Sequence, residues 1–140
     1  MPKRIPPLEA AALIADGWIY LDVRSVPEFE QGHPEGAFNV PLRHMGPGGM
    51  SPNADFQRVI EARFPKDARI VIGCKSGGRS LQAASILESA GYTNVVDMRG
   101  GFHGETDPFG RVGTPGWLAA GLPVATAAPG CTWSELSSKK

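Results

Sequence analysis

The chain alternates short, continuous apolar segments with segments whose apolar residues recur at helical spacing. Apolar segments that do not alternate with polar residues are typical of strands buried on both faces of a parallel sheet. The predicted strands are residues 18–23, 37–40, 69–72 and 94–98. The predicted helices are residues 7–16, 25–32, 53–64 and 80–90. Because strand-helix-strand units require right-handed crossovers, we predict an α/β fold with a central parallel sheet and helices on both faces.

Length and charge limit the organisation and the partners. The chain has 140 residues, 41% of them hydrophobic, and its 14 basic side chains balance 14 acidic ones. This size supports one domain, placed at residues 1–124, and we expect residues 125–140 to form an irregular tail. Zero net charge argues against nucleic acid or an anionic membrane as partner. The sequence shows neither an apolar run of about 20 residues nor the apolar core of a signal peptide, so we expect a cytoplasmic protein.

The cysteines and histidines do not predict a structural disulfide or a metal centre. The two cysteines are too few for a disulfide framework, and the three histidines lie apart, without the spacing of zinc ligands. We therefore predict no metal and no cofactor. Cys131 lies in the tail without charged neighbours in the sequence. It could act as a resolving or relay thiol, but we interpret it as a bystander.

An unusual loop follows the third predicted strand. Residues 73–80 read Gly-Cys-Lys-Ser-Gly-Gly-Arg-Ser and join a buried strand to a helix. Such a junction directs backbone N–H groups at a common centre beneath the helix N-terminus, which favours an anion and a cysteine thiolate. We therefore interpret Cys74 as a nucleophile that attacks an anionic substrate, rather than as a structural cysteine in a Gly-rich turn. The candidate substrate-binding residues are Lys75, Ser76, Gly77, Gly78, Arg79 and Ser80.

This loop belongs to an ordered series of motifs. The series comprises Leu21-Asp-Val-Arg24, Glu28-Phe29, Gln31-Gly-His33, Glu35-Gly-Ala-Phe-Asn-Val-Pro41, the Cys74 loop and Gly100-Gly101. Together these motifs resemble the rhodanese family of sulfurtransferases, in its single-domain form, over roughly residues 7–124. The resemblance implies a rhodanese-like α/β domain.

The resemblance also implies a reaction. Cys74 would take the outer sulfur of thiosulfate, become a persulfide and release sulfite, and then pass the sulfur to cyanide or a thiol. Asp22, Arg24 and His33 would support the fold beneath the site without taking part in the chemistry. We expect these small molecules to be the partners of a monomer or weak homodimer.

Two other functions stay open. Phosphatases and arsenate reductases of the related cell-cycle phosphatase type use a similar thiolate loop, but they separate cysteine and arginine by five residues. Here four residues separate Cys74 from Arg79. The second alternative is a non-catalytic binding or regulatory module of the same fold, and the intact loop argues against it.

One segment departs from the family pattern. Residues 103–116 separate the Gly100-Gly101 pair from Trp117 and look like an insertion. This segment would emerge on the same face as the Cys74 loop and could bring His103, Glu105 or Arg111 to the opening. We hypothesise that it shapes the mouth of the site together with residues 43–52, which are predicted to form a loop, and selects the acceptor. The alternative is that the insertion is a solvated surface loop.

Overall fold

The computed structural model describes residues 3–46, 48–75, 78–105, 109–111 and 113–137. The secondary-structure elements are, in chain order, β1 (Lys3–Ile5), α1 (Pro7–Ala15), β2 (Ile19–Asp22), α2 (Val26–Gln31), β3 (His33–Pro34), β4 (Phe38–Asn39), β5 (Arg43–Gly46), β6 (Gly49–Pro52), α3 (Phe56–Arg63), β7 (Arg69–Gly73), α4 (Gly78–Ser89), β8 (Asn94–Met98), β9 (Val124–Ala125) and α5 (Trp133–Ser137).

The central sheet has five strands in the order β1-β8-β7-β2-β4, and every neighbouring pair is parallel. The predicted α/β fold is therefore confirmed, with each predicted strand and helix present near its expected bounds. Strand β1 was not predicted, because it has only three residues and begins with the charged pair Lys3-Arg4. It pairs with β8 and forms one edge of the sheet.

Helices cover both faces of the sheet. Ile70 and Ile72 of β7 point to the face covered by α3, α4 and α5, whereas Val71 points to the face covered by α1 and α2. All three side chains are fully buried, and full burial of such a side chain stabilises the fold by about 1.5–3 kcal/mol. Burial on both faces explains why this strand is apolar without alternation.

Residues 43–52 were predicted to form a loop, and this prediction was wrong. Strands β5 and β6 form an antiparallel ladder whose paired residues run from Arg43 with Pro52 to Gly46 with Gly49. The glycines and prolines of this segment were interpreted as breakers of regular structure. Pro52 is tolerated because it lies at the end of an edge strand, where a missing N–H costs little.

The C-terminal segment also differs from the expected irregular tail. Strand β9 pairs antiparallel with β3, and α5 buries Leu136 in the core cluster that contains α3 and α4. The guanidinium of Arg63 donates hydrogen bonds to the carbonyl of Leu136, at 2.9 Å for the shorter one. These contacts lie far apart in the sequence, so local periodicity could not predict them. No helix in the described ranges has the length and apolar character that a membrane span requires.

Candidate active site

Cys74 directly follows the carboxyl end of β7, four positions before α4 begins at Gly78, and it is only 1% exposed. The preceding residue must be glycine, because a Cβ at Gly73 would overlap the hydroxyl of Tyr20. Gly73 in turn pairs with Asp22 at the end of β2. The carboxyl ends of parallel strands are the usual position for ligand sites in open α/β sheets, and the cysteine occupies this position.

The segment that begins with Gly100-Gly101 packs against the Cys74 loop and forms backbone hydrogen bonds with it. The backbone N–H of Phe102 donates to the carbonyl of Cys74 at 2.7 Å, and that of His103 donates to the carbonyl of Lys75 at 2.9 Å. Gly101 has φ +62°, and a Cβ there would lie 2.5 Å from the Cys74 carbonyl oxygen. The close approach and the positive φ both require glycine at this position.

The sulfur of Cys74 contacts a buried polar side chain. Its Sγ lies 3.4 Å from the hydroxyl oxygen of Ser80, in the first turn of α4. The Ser80 hydroxyl is also hydrogen-bonded to the carboxyl group of Asp97, whose pKa is raised because it is buried. Arg4 donates from Nε to Oδ2 of Asp97 at 2.7 Å. Ser80 is therefore fixed between the sulfur of Cys74 and a buried carboxyl group on the neighbouring strand β8.

Arg79 forms a bidentate ion pair with Glu28 of α2. Its Nη1 and Nη2 lie 2.7 and 3.0 Å from the two carboxylate oxygens. Oε1 of Glu28 also accepts hydrogen bonds from the backbone N–H and the hydroxyl of Ser25, which completes the capping box that starts α2. Burial acts to raise the pKa of Glu28, but the hydrogen bonds from Arg79 and Ser25 outweigh it and lower the pKa from 4.5 to about 2. The guanidinium predicted to bind an anion thus already holds a carboxylate.

Arg24 is buried next to the same site. Its Nη2 lies 2.8 Å from Oδ2 of Asp22 and donates to the carbonyl of Gly32 at 2.7 Å. Its guanidinium lies 4.5 Å above the centre of the Phe102 ring. Arg24 therefore connects the end of β2 to the end of α2 and to the loop behind Cys74.

His33 is fully buried in β3, two positions after the end of α2. Its Nδ1 lies 2.8 Å from the carbonyl oxygen of Phe29, and its ring stacks on that of Phe29 with 3.8 Å between centroids. Its Nε2 lies 3.3 Å from the carbonyl oxygen of Ala127. The expected supporting role of Asp22, Arg24 and His33 stays a prediction, but each makes contacts that join separate segments.

A cleft of about 310 Å³ opens beside the Cys74 loop. It is lined by Arg24, Glu28, Gln31, Gly32, Lys75, Phe102, His103, Leu118 and Val124. The pKa of His103 is lowered by partial burial and by the charges of Arg24 and Lys75. The start of the insertion therefore reaches the cleft through His103, as hypothesised, whereas its Glu105 pairs with Arg99 at 3.3 Å.

The described residues of the other hypothesised segment, residues 43–52, do not line this cleft. In β5, Arg43 instead donates from Nη2 to the Gln82 side chain of α4 at 2.6 Å. Cys131 is not a lining residue either, and its backbone carbonyl accepts a hydrogen bond from Asn39 of β4. Burial and the nearby Glu135 raise the pKa of the Cys131 thiol.

Of the predicted loop residues, Lys75, Gly78, Arg79 and Ser80 lie around Cys74, and Ser76 and Gly77 lie outside the described residues. Within the described ranges, no three His, Cys, Asp or Glu side chains are grouped so that they could hold a metal ion. The sequence did not predict the ion pair between Glu28 and Arg79, nor that Leu118 and Val124 line the cleft. The capping-box spacing pointed to Glu28, but only as a helix cap.

Comparison with known proteins decides the family. The model of the rhodanese-like domain matches residues 7–105. The chain belongs to the rhodanese family. A crystal structure of Rv0390 from M. tuberculosis has the same fold as this rhodanese, with a TM-score of 0.75 and 29% identity, over 89% of this chain and 98% of that one.

Several relatives of this rhodanese carry an activity in their names. Thiosulfate sulfurtransferase 16, chloroplastic, from Arabidopsis thaliana is 43% identical over 102 residues, which cover 73% of this chain and 85% of the relative. Thiosulfate sulfurtransferase GlpE from Pseudomonas fluorescens (strain SBW25) is 35% identical over 71% of this chain and 81% of the relative. Senescence-associated protein DIN1 from Raphanus sativus is 42% identical, but the match spans only 56% of its length.

Proposed function

We propose that this rhodanese is a sulfurtransferase. Cys74 accepts a sulfane sulfur from a small anionic donor such as thiosulfate, carries it as a persulfide and passes it to a thiol or to cyanide. The observation that carries the proposal is the position of Cys74, whose sulfur lies at a strand end against the Ser80 hydroxyl and whose neighbour Lys75 lines a cleft together with Arg24. The relatives named thiosulfate sulfurtransferase support the same activity.

The first half-reaction is a displacement at sulfur. The Cys74 thiolate attacks the outer sulfur of thiosulfate and forms a new S–S bond. The S–S bond of thiosulfate breaks, its electron pair leaves with sulfite, and the enzyme retains a persulfide anion. In the protein without substrate the Cys74 thiol donates to the hydroxyl oxygen of Ser80 at 3.4 Å. Lys75 supplies positive charge at the mouth of the cleft, which stabilises the anionic sulfur.

The second half-reaction regenerates the enzyme. An acceptor thiolate, or cyanide, attacks the terminal sulfur of the persulfide, and the bond to the sulfur of Cys74 breaks. The electron pair returns to Cys74 as thiolate, and the product is a new persulfide or thiocyanate. Splitting the transfer in this way requires only one nucleophile on the enzyme, and Cys74 is that nucleophile.

The proposal is tested by intact-mass measurement of the purified protein after incubation with thiosulfate. We expect a gain of one sulfur atom that disappears on treatment with cyanide. The Cys74→Ser variant is expected to show no gain, whereas the matched control Cys131→Ser keeps it. Hydrolysis of p-nitrophenyl phosphate is measured in parallel. Phosphate release that depends on Cys74, without a sulfur gain, would contradict the proposal and favour the phosphatase alternative.

A further inference from the structure

Asp97 on β8 is a buried acid for which the proposed reaction has no role. Its side chain is fully buried, and its Oδ1 has no hydrogen-bond partner among the described residues. Its Oδ2 accepts a hydrogen bond from Nε of Arg4 at 2.7 Å. Burial raises the pKa of Asp97, because a carboxylate that is removed from water is costly in its charged form. Asp97 is therefore a stronger base than an exposed aspartate.

Charged and titratable groups face Asp97 from neighbouring elements. Arg4 on β1 and Arg99 both pair with Glu105, at 3.9 and 3.3 Å. The charge of Glu105 adds to the raised pKa of Asp97. Tyr20 on β2 stays neutral, because burial raises its pKa well above the ordinary value. The charge of Arg4 does not cancel the effect of burial, and the pKa of Asp97 stays raised.

Ser80 connects this acid to Cys74. The Cys74 thiol donates to the hydroxyl oxygen of Ser80 at 3.4 Å, and the same hydroxyl is hydrogen-bonded to the carboxyl group of Asp97. A hydroxyl has one proton to donate. While Ser80 donates this proton to ionised Asp97, it can only accept from the sulfur, which favours the thiol. When Asp97 is protonated and donates to Ser80, the hydroxyl can donate to the sulfur, which favours the thiolate.

From this chain of contacts we infer that Asp97 accepts the proton of Cys74 through Ser80, and that Asp97 is the positioning residue that sets the direction of the Ser80 hydrogen bond. The S–H bond of Cys74 breaks and its proton moves to the Ser80 oxygen, while the proton of that hydroxyl moves to Asp97. The products are a thiolate and a neutral carboxylic acid, so protons and charge are conserved. The inference rests on the proposed function and specifies how its nucleophile is formed.

The inference is tested by titrating the thiolate through its ultraviolet absorbance. The background is Cys131→Ser, in which Cys74 is the remaining cysteine, and the spectrum of the protein that also carries Cys74→Ser is subtracted to remove the tyrosines. Asp97→Asn imitates the protonated acid, because its amide N–H can donate to Ser80. We expect this variant to lower the midpoint pH of thiolate formation by about one unit.

A second background separates the hydrogen-bond chain from a simple effect of charge. Loss of a negative charge near Cys74 would also favour the thiolate, but this effect does not need a hydroxyl. In the Ser80→Ala background we expect Asp97→Asn to shift the midpoint by less than about half as much. Equal shifts in both backgrounds would overturn the inference.

A charge-matched control is Asp67→Asn. Asp67 is exposed and precedes the amino end of β7, at the opposite edge of the sheet from Cys74. We expect this variant to keep the midpoint of the parent protein. A shift as large as that of Asp97→Asn would show that net charge alone sets the midpoint, and the inference would be wrong.

A measurement without substitution of Asp97 keeps the test decisive if its variants do not fold. We expect the carboxyl ¹³C resonance of Asp97 to titrate in two steps in the Cys131→Ser protein, the second of them together with thiolate formation, because coupled groups share their protons. The additional substitution Cys74→Ser is expected to remove the second step. A single step in both proteins would contradict the inference.

The outcomes separate this inference from the proposed function. The gain of sulfur from thiosulfate requires a thiolate at Cys74, whichever group takes its proton. If the protein gains sulfur but Asp97 fails these titrations, the inference is wrong and the sulfurtransferase proposal stands. If Cys74 gains no sulfur, the proposed function is overturned, and the inference falls with it as an account of sulfur transfer.

Discussion

At the residue scale, two glycines near Cys74 matter because they have no Cβ atom. Gly73 leaves space for the Tyr20 hydroxyl, and Gly101 lets the backbone of Cys74 and Lys75 approach closely. Neither residue contacts the cleft as a lining residue. Any effect that they have on the site is therefore indirect, through the position of the loop that carries Cys74.

Gly101→Ala is expected to destabilise the protein and to impair sulfur transfer. The new Cβ would lie 2.5 Å from the Cys74 carbonyl oxygen, in addition to the strain of a positive φ. Gly121→Ala is the matched control, because Gly121 has φ +73° but no atom within 4 Å of the new Cβ. We expect a loss in unfolding free energy of about 1 kcal/mol for Gly121→Ala and at least twice that for Gly101→Ala, measured by urea unfolding. Equal losses would show that the close approach has no energetic role.

The Glu28 ion pair predicts a pH dependence of stability. The pKa of Glu28 is about 2 in the folded protein and 4.5 without the fold. A lowered carboxyl pKa stabilises the folded state above about pH 4.5, and this contribution is lost as pH falls towards about 2. We expect Glu28→Gln to cost about 1–2 kcal/mol at pH 7, discounted for partial solvent exposure, and progressively less as pH falls below 4.5.

Urea unfolding of the wild type and Glu28→Gln between pH 3 and pH 7 measures this difference. The control is the same substitution in an Arg79→Met background, where the ion pair is absent. There we expect a smaller difference with a weaker pH dependence. A difference that is constant over the whole range would contradict the assigned role of the ion pair.

The sequence predicted the capping box of Ser25 and Glu28 but not the ion pair between Glu28 and Arg79. Ser25 and Glu28 lie three positions apart, and their spacing alone indicates a capping box. Glu28 and Arg79 lie 51 positions apart, so their contact depends on how α2 and α4 are placed relative to the sheet. The composition of the loop predicted that Arg79 binds the substrate, whereas in the folded protein Arg79 is paired with the carboxylate of Glu28.

At the scale of elements, segments with a clear apolar pattern or a capping motif were predictable, whereas segments that depend on pairing with a distant part of the chain were not. Helices α1, α3 and α4 and strands β2, β7 and β8 follow from apolar spacing and from a terminal glycine such as Gly17 or Gly91. The short strand β1 and the β5–β6 hairpin were missed because pairing with another segment, not local composition, stabilises them. The small helix α5 was missed for the same reason.

Helix α5 is expected to contribute to the stability of the whole domain. Leu136 is only 3% exposed and packs in the core cluster with α3 and α4. Truncating a buried leucine leaves a cavity, so we expect Leu136→Ala to cost about 2–3 kcal/mol in unfolding free energy. Leu8→Ala is the control, because Leu8 is 66% exposed on α1. Similar, small effects of both substitutions would show that α5 does not pack as described.

At the scale of the whole molecule, the sequence predicted the architecture and the end of the sheet at which Cys74 lies. Alternating strands and helices imply a parallel sheet, and a parallel sheet gathers the loops after its strands at one edge. The strand order and the packing of the C-terminal segment required the structure, because both depend on contacts between distant segments.

The C-terminal segment also protects an edge of the sheet from self-association. Strand β4 is an edge strand, and the N–H of Asn39 points away from β2. That N–H donates to the carbonyl of Cys131 at 2.9 Å, and the nearby N–H of Ala37 donates to Pro34 at 3.1 Å. Exposed edge strands pair readily with strands of other molecules and promote aggregation. By accepting the hydrogen bond from Asn39, the segment around residue 131 covers part of this edge and helps to keep one copy of the chain from extending its sheet into another.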